Sequence, residues 1–233
     1  MSEVYFETVE KLDTKSLGYK QNLNSYNHLN LRDYESFAEA SGLLEREDVF
    51  VLLPYLLKAE SILEVGAGFG RAIDALISVV PTAEIMALEA CPHMCQFMQK
   101  RYINNFNVRV FQSDFLQQKI SRKFDFIGMF WTTLMSFSPQ EQQACFHQAS
   151  KLLLPKGKFA VDLFESSTRA PHRRLSKELK MVSTELLGHR FFFWAPTNQE
   201  LFEMALKSGL KPYDQLRYQV NGVSRRFVIF EKA

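Results

Sequence analysis

The chain has 233 residues, of which 46% are hydrophobic, and a formal net charge of +2. This length allows one domain with a sizeable core, and the small charge gives no strong attraction to nucleic acid or to an anionic membrane. The longest apolar run, Val49 to Leu57, is too short to span a bilayer, and the amino terminus lacks the apolar segment of a signal peptide. Three cysteines form no disulfide framework or zinc-ligand set, so we expect a soluble, cytoplasmic, metal-free protein.

Residues 1–58 precede the first core strand and are predicted to form a helical cap. Apolar residues recur at helical spacing from Tyr34 to Leu44 and from Arg46 to Leu57. Tyr19 and Tyr26 lie in a polar stretch before these helices. Two interpretations stay open, because a cap that packs on the domain and a lid that closes over a ligand are built in the same way.

An alternating run of three glycines joins the first buried strand, Ser61–Val65, to a helix that begins at Arg71. Gly66, Gly68 and Gly70 can take positive φ angles and let a ligand approach the backbone. The helix that follows directs unpaired N–H groups and the positive end of its dipole into the same space. The sequence therefore predicts a cradle for a polar or charged ligand at the carboxyl edge of a parallel sheet.

The next two predicted strands each end close to an acidic residue. Ala83–Glu89 ends in Glu89, whose carboxylate can accept both hydroxyls of a ribose. A helix from Pro92 to Asn105 follows, and then the third strand, Val108–Gln112, leads to Asp114. The acid at the end of the second strand supports nucleoside binding without identifying the nucleoside.

Over roughly residues 60–165 this arrangement resembles the class I S-adenosylmethionine-dependent methyltransferases. Glu64 to Gly70 reads Glu-x-Gly-x-Gly-x-Gly and resembles motif I of that family, whereas a dinucleotide fingerprint would need a glycine at Arg71. The resemblance implies that S-adenosylmethionine is the cofactor and that Asp114 receives the adenine amino group. The implied cofactor residues are Glu64, Gly66, Ala67, Gly68, Gly70, Arg71, Glu89, Ala90, Ser113, Asp114, Phe115 and Phe130.

The rest of the chain completes an α/β pattern. We predict a fourth strand at 124–130, a helix at 139–154, a turn at 155–157, a fifth strand at 158–164, a helix capped by Thr197, and a closing hairpin around Asn221-Gly222. The expected fold is a doubly wound, Rossmann-like, seven-stranded sheet, mostly parallel with the last strand antiparallel, formed by residues 59–233. An insertion at about 166–195 holds a basic run and a hairpin whose turn is predicted at Gly188-His189; the run comprises Arg169, His172, Arg173, Arg174, Lys177 and Lys180.

The fourth strand is followed by Trp131-Thr132-Thr133. Family members that methylate exocyclic amines carry Asn/Asp-Pro-Pro-aromatic at this place, so methylation of DNA adenine or of protein glutamine is not expected. The resemblance instead implies a small-molecule substrate, contacted by Trp131, Thr132 and Tyr26. No catalytic constellation is recognisable; the candidate bases are Asp162, Glu165, Tyr19, Tyr26 and His172.

The leading hypothesis is therefore transfer of a methyl group from S-adenosylmethionine to a small molecule by in-line displacement. Such a reaction demands orientation more than chemistry from the protein. A non-catalytic S-adenosylmethionine- or nucleoside-binding protein of the same fold is the alternative. An NAD-dependent oxidoreductase is disfavoured by Arg71 and Asp114. The methyl acceptor, the atom methylated and the oligomeric state stay open.

Overall fold

A computed structural model describes residues 6–7, 19–165 and 181–233, the first pair by backbone alone. The strands are β1 Phe6–Glu7, β2 Ser61–Val65, β3 Glu84–Glu89, β4 Val108–Gln112, β5 Phe124–Met129, β6 Leu153–Phe164, β7 Met181–Leu186, β8 His189–Trp194, β9 Leu210–Val220 and β10 Val223–Lys232. The helices are α1 Tyr19–His28, α2 Leu31–Ala40, α3 Glu47–Phe50, α4 Leu53–Leu56, α5 Arg71–Val79, α6 Pro92–Arg101, α7 Pro139–Leu152 and α8 Asn198–Lys207. None of the described helices is both long and apolar enough to cross a bilayer.

The main sheet has seven strands in the order β4-β3-β2-β5-β6-β10-β9. The first five pair in parallel, and β10 is antiparallel to both of its neighbours. The predicted doubly wound sheet with an antiparallel last strand is confirmed. The strand order reverses between β2 and β5, and a crevice opens outside the carboxyl ends of strands at such a point.

Strand β2 is buried along its whole length, because helices cover both faces of the sheet. Its successive side chains enter different clusters: Ile62 belongs to the core on one face, and Leu63 and Val65 to the core on the other. The strand that leads into the glycine loop is therefore held from both sides.

A second sheet, β1-β7-β8, is antiparallel throughout. Helix α1 packs against β8 through Asn22, which is fully buried. The Nδ2 group of Asn22 donates to the carbonyls of Ser136 (2.9 Å) and Phe192 (2.6 Å), and its Oδ1 accepts the N–H of Phe192 (2.8 Å). These bonds fix α1, a helix that the sequence analysis did not predict.

Both predicted cap helices have different bounds in the structure. Helix α2 begins at Leu31 because the Asn30 side chain accepts the N–H groups of Arg32 and Asp33, and it ends at Ala40 rather than Leu44. The predicted helix from Arg46 to Leu57 is two short helices, α3 and α4. Pro54 has no N–H to donate to the preceding turn, which accounts for the break.

Two predicted turns also differ. Residues 155–157 lie within β6, as an irregularity in its pairing with β5 near Lys156, which has φ 63°. The turn between β7 and β8 is Leu187-Gly188, with φ angles of 52° and 78°, and not Gly188-His189. The basic run and the predicted hairpin residues 179–180 lie outside the described residues. The Asn221-Gly222 turn is confirmed, with both φ angles positive as a two-residue hairpin requires.

Candidate cofactor and substrate site

A cleft of roughly 840 Å³, counting the part open to solvent, lies at the carboxyl ends of the central strands, under α1 and α2. Most of the residues predicted for the cofactor and the substrate converge there. Those lining it are Glu64, Gly66, Ala67, Gly68, Arg71, Glu89, Ala90, Ser113, Phe115, Phe130, Trp131, Tyr19 and Tyr26.

The three glycines have positive φ angles but different surroundings. A Cβ atom at Gly66 would lie 2.7 Å from Cγ2 of Thr133, and one at Gly70 would lie 2.5 Å from the hydroxyl of Tyr102, so both positions are closed by packing. At Gly68 the nearest atom is Cε1 of Tyr34, at 3.9 Å. Gly68 is therefore the position where the loop leaves space toward the cleft, whereas Gly70 does not line it.

Glu89 lies at the end of β3 and is buried against the glycine loop. One carboxylate oxygen accepts the N–H of Gly68 and the other accepts the N–H of Cys91, each at 2.7 Å. Burial raises the pKa of Glu89, and these amides oppose that rise. Because each carboxylate oxygen can accept more than one hydrogen bond, Glu89 can hold the loop and still receive hydroxyl groups from a ligand.

Glu64 is the penultimate residue of β2, and only 2% of its surface is exposed. Its Oε2 atom has no hydrogen-bond partner among the described residues, although the side chain lines the cleft. Burial raises the pKa of Glu64 to about 8, and the neighbouring Arg71 opposes this. A buried acceptor without a donor is costly, so the position suits a ligand that brings an N–H group, above all a cationic one.

Arg71 begins α5 and points its guanidinium toward the cap. Its two terminal nitrogens bind the two oxygens of Asp48 at 2.8 and 2.5 Å, and Nη1 also donates to the carbonyl of Leu43 at 3.1 Å. Both members of the ion pair are at most 5% exposed. The charge of Arg71 is thus compensated within the protein, which leaves the carboxylates to determine the electrostatic character of the cleft.

Of the three residues that follow β4, two line the cleft and one forms hydrogen bonds within its own turn. Ser113 and Phe115 line the cleft. Asp114 does not line it, since its carboxylate accepts the N–H of Leu116 at 2.9 Å and Nε2 of Gln117 at 3.0 Å. The predicted adenine acceptor therefore has local partners, and its role toward adenine stays a prediction.

Of the four candidate bases within the described residues, Tyr19 and Tyr26 line the cleft. Asp162 is fully buried in an ion pair with Arg225, and Glu165 pairs with Arg217 at 2.5 Å outside the cleft. Neither matches the prediction of a base in the cleft, because each carboxylate has an arginine partner that sequence spacing does not reveal. His172 lies outside the described residues.

The two tyrosines are neutral hydrogen-bonding groups at neutral pH. Burial raises the pKa of Tyr26 to about 12 and raises that of Tyr19 further above its usual value, with Glu89 adding to the effect on Tyr19. Tyr19 stacks on Phe137 with ring centroids 4.3 Å apart. We therefore assign these phenols to shape and hydrogen bonding in the cleft rather than to proton removal.

The acceptor side of the cleft is more aromatic than the sequence analysis predicted. Trp131 lines it as expected, whereas Thr132 is buried behind it and does not. Tyr34 stacks on Trp131 with centroids 5.4 Å apart and ring planes within 7°. Tyr19, Leu23 and Tyr26 follow an i, i+4, i+7 spacing, a signal that could have revealed α1. Lining residues that were not predicted are Leu23, Tyr34, Val65, Phe69, Ala72, Leu88, Cys91, Met94, Thr133, Ser136 and Phe137.

Comparisons with known proteins agree with this geometry. Residues 62–157 match a family model described as a methyltransferase domain. No curated protein matches the chain. Among solved structures, the Burkholderia thailandensis 1,6-didemethyltoxoflavin-N1-methyltransferase, with bound 1,6-didemethyltoxoflavin and S-adenosylhomocysteine, is similar with a TM-score of 0.73 at 15% identity, covering 100% of this chain and 97% of its own.

Two further structures show the same likeness. The CcbJ methyltransferase from Streptomyces caelestis has a TM-score of 0.66 at 17% identity, covering 81% of this chain and 94% of its own. Magnesium protoporphyrin IX methyltransferase from Synechocystis, with bound S-adenosylmethionine, has a TM-score of 0.68 at 10% identity, covering 97% of this chain and 100% of its own. At these identities the likeness establishes the fold, and the domain model matches its central part, residues 62–157.

Proposed function

We propose that this chain, a member of the class I S-adenosylmethionine-dependent methyltransferases, methylates a small molecule whose methyl-accepting part is apolar or aromatic. The observation that carries the proposal is the cleft itself. It brings together an unpartnered carboxylate oxygen of Glu64, the open position at Gly68 and the buried carboxylate of Glu89, and an aromatic wall faces them. When bound, S-adenosylmethionine supplies a methyl group on a positively charged sulfonium.

The cofactor half of the cleft fits that ligand through this chain's own groups. Glu64 would accept from the ammonium of the amino-acid portion, which supplies the donor that its Oε2 lacks. Glu89 would accept from the ribose hydroxyls while still holding the glycine loop. Phe115 offers an apolar face for the adenine ring. The cleft is lined by the carboxyl groups of Glu64 and Glu89, whereas the charge of Arg71 is already compensated by Asp48. This balance favours a cationic ligand.

The acceptor half consists of side chains from α1, α2 and the segment after β5. Leu23, Tyr26, Phe130 and Trp131 present mostly apolar surface, which favours a flat or apolar acceptor over a highly charged one. Covering helices exclude water and restrict the orientations the acceptor can take. Orientation of the two reactants can supply on the order of 7–11 kcal/mol of barrier lowering.

The protonation state of Tyr19 and Tyr26 indicates which kind of methyl acceptor the cleft can use. Tyr19 and Tyr26 stay protonated near neutral pH because burial raises the pKa of each. They can accept a hydrogen bond from an acceptor N–H or O–H but do not remove its proton. Within the described lining, the arrangement favours an acceptor atom that is already nucleophilic, such as a neutral amine.

A cytoplasmic location is part of the proposal, supported by three cysteines that are all free thiols.

Thermal denaturation with matched ligands tests the cofactor. A ligand that binds only the folded protein stabilises it by about 2.7 kcal/mol at a hundredfold excess over Kd. For a domain of this size that corresponds to a rise in Tm of about 5–10 °C. We expect this rise with S-adenosylmethionine and with S-adenosylhomocysteine, and none with NAD or NADP. A rise with NAD alone would contradict the proposal.

Methyl transfer itself needs a second measurement. Radiolabelled S-adenosylmethionine, incubated with a panel of amines, phenols, carboxylates and thiols, should label an apolar amine before any charged acceptor. A clear rise in Tm without transfer to any member of a broad panel would favour the non-catalytic binding protein instead. The two measurements therefore separate the choice of cofactor from turnover.

A further inference from the structure

The two residues after β5 have unusual backbone conformations. Trp131 has φ 41° and Thr132 has φ 59°, and neither is glycine. A positive φ is rare for bulky residues and especially for β-branched ones. Two such residues in succession persist only where the surrounding structure determines them, and strain of this kind concentrates at functional sites.

One side chain from the centre of the sheet holds this turn. Oδ2 of Asp162 accepts the N–H of Thr132 at 3.2 Å, and the Thr132 hydroxyl donates to the carbonyl of Trp131 at 2.6 Å. Asp162 lies near the end of β6, the strand beside β5 in the sheet. The bond therefore runs from the sheet to the turn that carries Trp131 into the cleft.

Asp162 is itself fixed by residues from two other strands. Arg225 of β10 forms an ion pair with its Oδ2, and the hydroxyl of Tyr218 of β9 donates to its Oδ1 at 2.8 Å. Nε of Arg225 also donates to the Tyr218 hydroxyl at 3.0 Å. All three side chains are buried. The carboxylate thus accepts from three donors, the Thr132 amide, Arg225 and Tyr218, which fix its position.

The Trp131-Thr132 turn also determines the position of the Trp131 ring, which packs against α2. The ring of Trp131 stacks with Tyr34 and, at 5.9 Å and 9°, with Phe37, both from α2. Tyr34 also packs edge-on against Phe69 of the glycine loop, with centroids 5.6 Å apart. Trp131 is therefore the link between the strand end, the cap and the loop that carries Gly68.

We propose that Asp162 is a positioning residue: by accepting the Thr132 amide, it holds the Trp131-Thr132 turn in its left-handed conformation and so fixes the Trp131 ring as a wall of the cleft. The role of that wall toward a methyl acceptor rests on the proposed function. The position of the ring does not, and it can be measured without turnover.

The chain contains two tryptophans, so the variant Trp194→Phe leaves Trp131 as the sole indole. In that background, Asp162→Leu, which has no acceptor for the Thr132 amide, should shift the Trp131 emission to the red and increase its quenching by acrylamide, because the ring leaves its stacked position. Tyr218→Phe is the matched control: it removes a donor from the same carboxylate but leaves the Thr132 contact. It should leave emission and quenching as in the Trp194→Phe parent.

Glycine adopts positive φ without strain, so adding Thr132→Gly to Asp162→Leu should restore much of the parent spectrum. If Asp162→Leu alone does not fold, the double variant Asp162→Leu with Arg225→Met is used instead. It removes both charges, and buried ion pairs can be exchanged for neutral groups without loss of the fold. The double variant should show the same red shift. An unchanged Trp131 spectrum in the folded variant, or an equal change in Tyr218→Phe, would overturn the proposal. Neither result would bear on whether the protein binds S-adenosylmethionine, because the shift in Tm tests that separately.

Discussion

At the scale of a single residue, we expect Glu64 to couple ligand binding to pH. Burial raises its pKa to about 8, so below that pH the carboxyl is mostly protonated in the ligand-free protein. A bound ammonium would favour the ionised form and release the proton. We expect the affinity for S-adenosylhomocysteine to increase by up to about tenfold per pH unit from pH 6 to 8, and to level off above. In Glu64→Gln the calorimetric profile should be flat; parallel profiles in both proteins would contradict this role.

The same pKa shift predicts a pH dependence of stability in the ligand-free protein. A carboxyl whose folded-state pKa is raised binds its proton more tightly when folded, so its favourable contribution is complete below the unfolded value of 4.5. That contribution is lost as the pH rises through the interval up to about 8. The free energy of unfolding of the wild type should therefore fall relative to Glu64→Gln between these pH values, as measured by denaturant titration. A difference that grows in the opposite direction would show that Arg71, not burial, controls Glu64.

Gly68 and Gly222 form a matched pair for testing the glycine loop. Both have positive φ, at 58° and 78°, so an alanine is strained at either position. A Cβ at Gly222 has no atom within 4 Å, whereas one at Gly68 would enter the cleft beneath Tyr34. Each substitution should cost roughly 1–2 kcal/mol of stability. Only Gly68→Ala should also weaken S-adenosylhomocysteine binding in calorimetry, and equal affinities for the two variants would make the loop purely structural.

Among the elements, α1 is anchored by the buried side-chain amide of Asn22. Asn22→Ala would leave the carbonyl of Ser136 and both backbone groups of Phe192 without their partner, at about 1–3 kcal/mol for each group left unsatisfied. Ser25, on the same helix, donates to the carbonyl of Arg190 at an exposed position. We expect Asn22→Ala to accelerate hydrogen exchange of the Phe192 amide strongly and Ser25→Ala to do so only slightly. Similar exchange in both variants would mean that packing alone holds α1.

The elements also show which features the sequence could predict. The parallel strands and their glycine loop were predictable, because a continuous apolar run, alternating glycines and an acidic strand end are local signals. Helix α1 was missed because Asn22 is polar in the sequence and buried only through partners more than 110 residues away. Asp162 was assigned to the cleft from its strand end, yet Arg225 and Tyr218, which bind it, come from strands far along the chain. Local patterns thus predicted the cofactor half of the site better than its aromatic wall.

For the whole molecule, the ion pair of Asp48 and Arg71 connects the cap to the sheet. Arg71 starts the helix after the glycine loop, and Asp48 lies in α3, so the pair joins the two parts directly beside the cleft. The aromatic contacts of Trp131 with α2 make a second connection. Because both connections reach residues that line the cleft, the cap and the ligand site should be stable or unstable together.

Removing one partner of the ion pair tests that coupling. Asp48→Ala leaves a buried guanidinium uncompensated, which costs about 3–5 kcal/mol and should lower Tm by about 6–20 °C. Glu84→Ala is the control, since its pair with Arg122 is exposed and should change Tm little. Replacing both partners, Asp48→Leu with Arg71→Met, should recover much of the loss because no charge stays buried. If Asp48→Ala lowers Tm as little as Glu84→Ala does, the cap is held by its apolar contacts and the site does not depend on this charge pair.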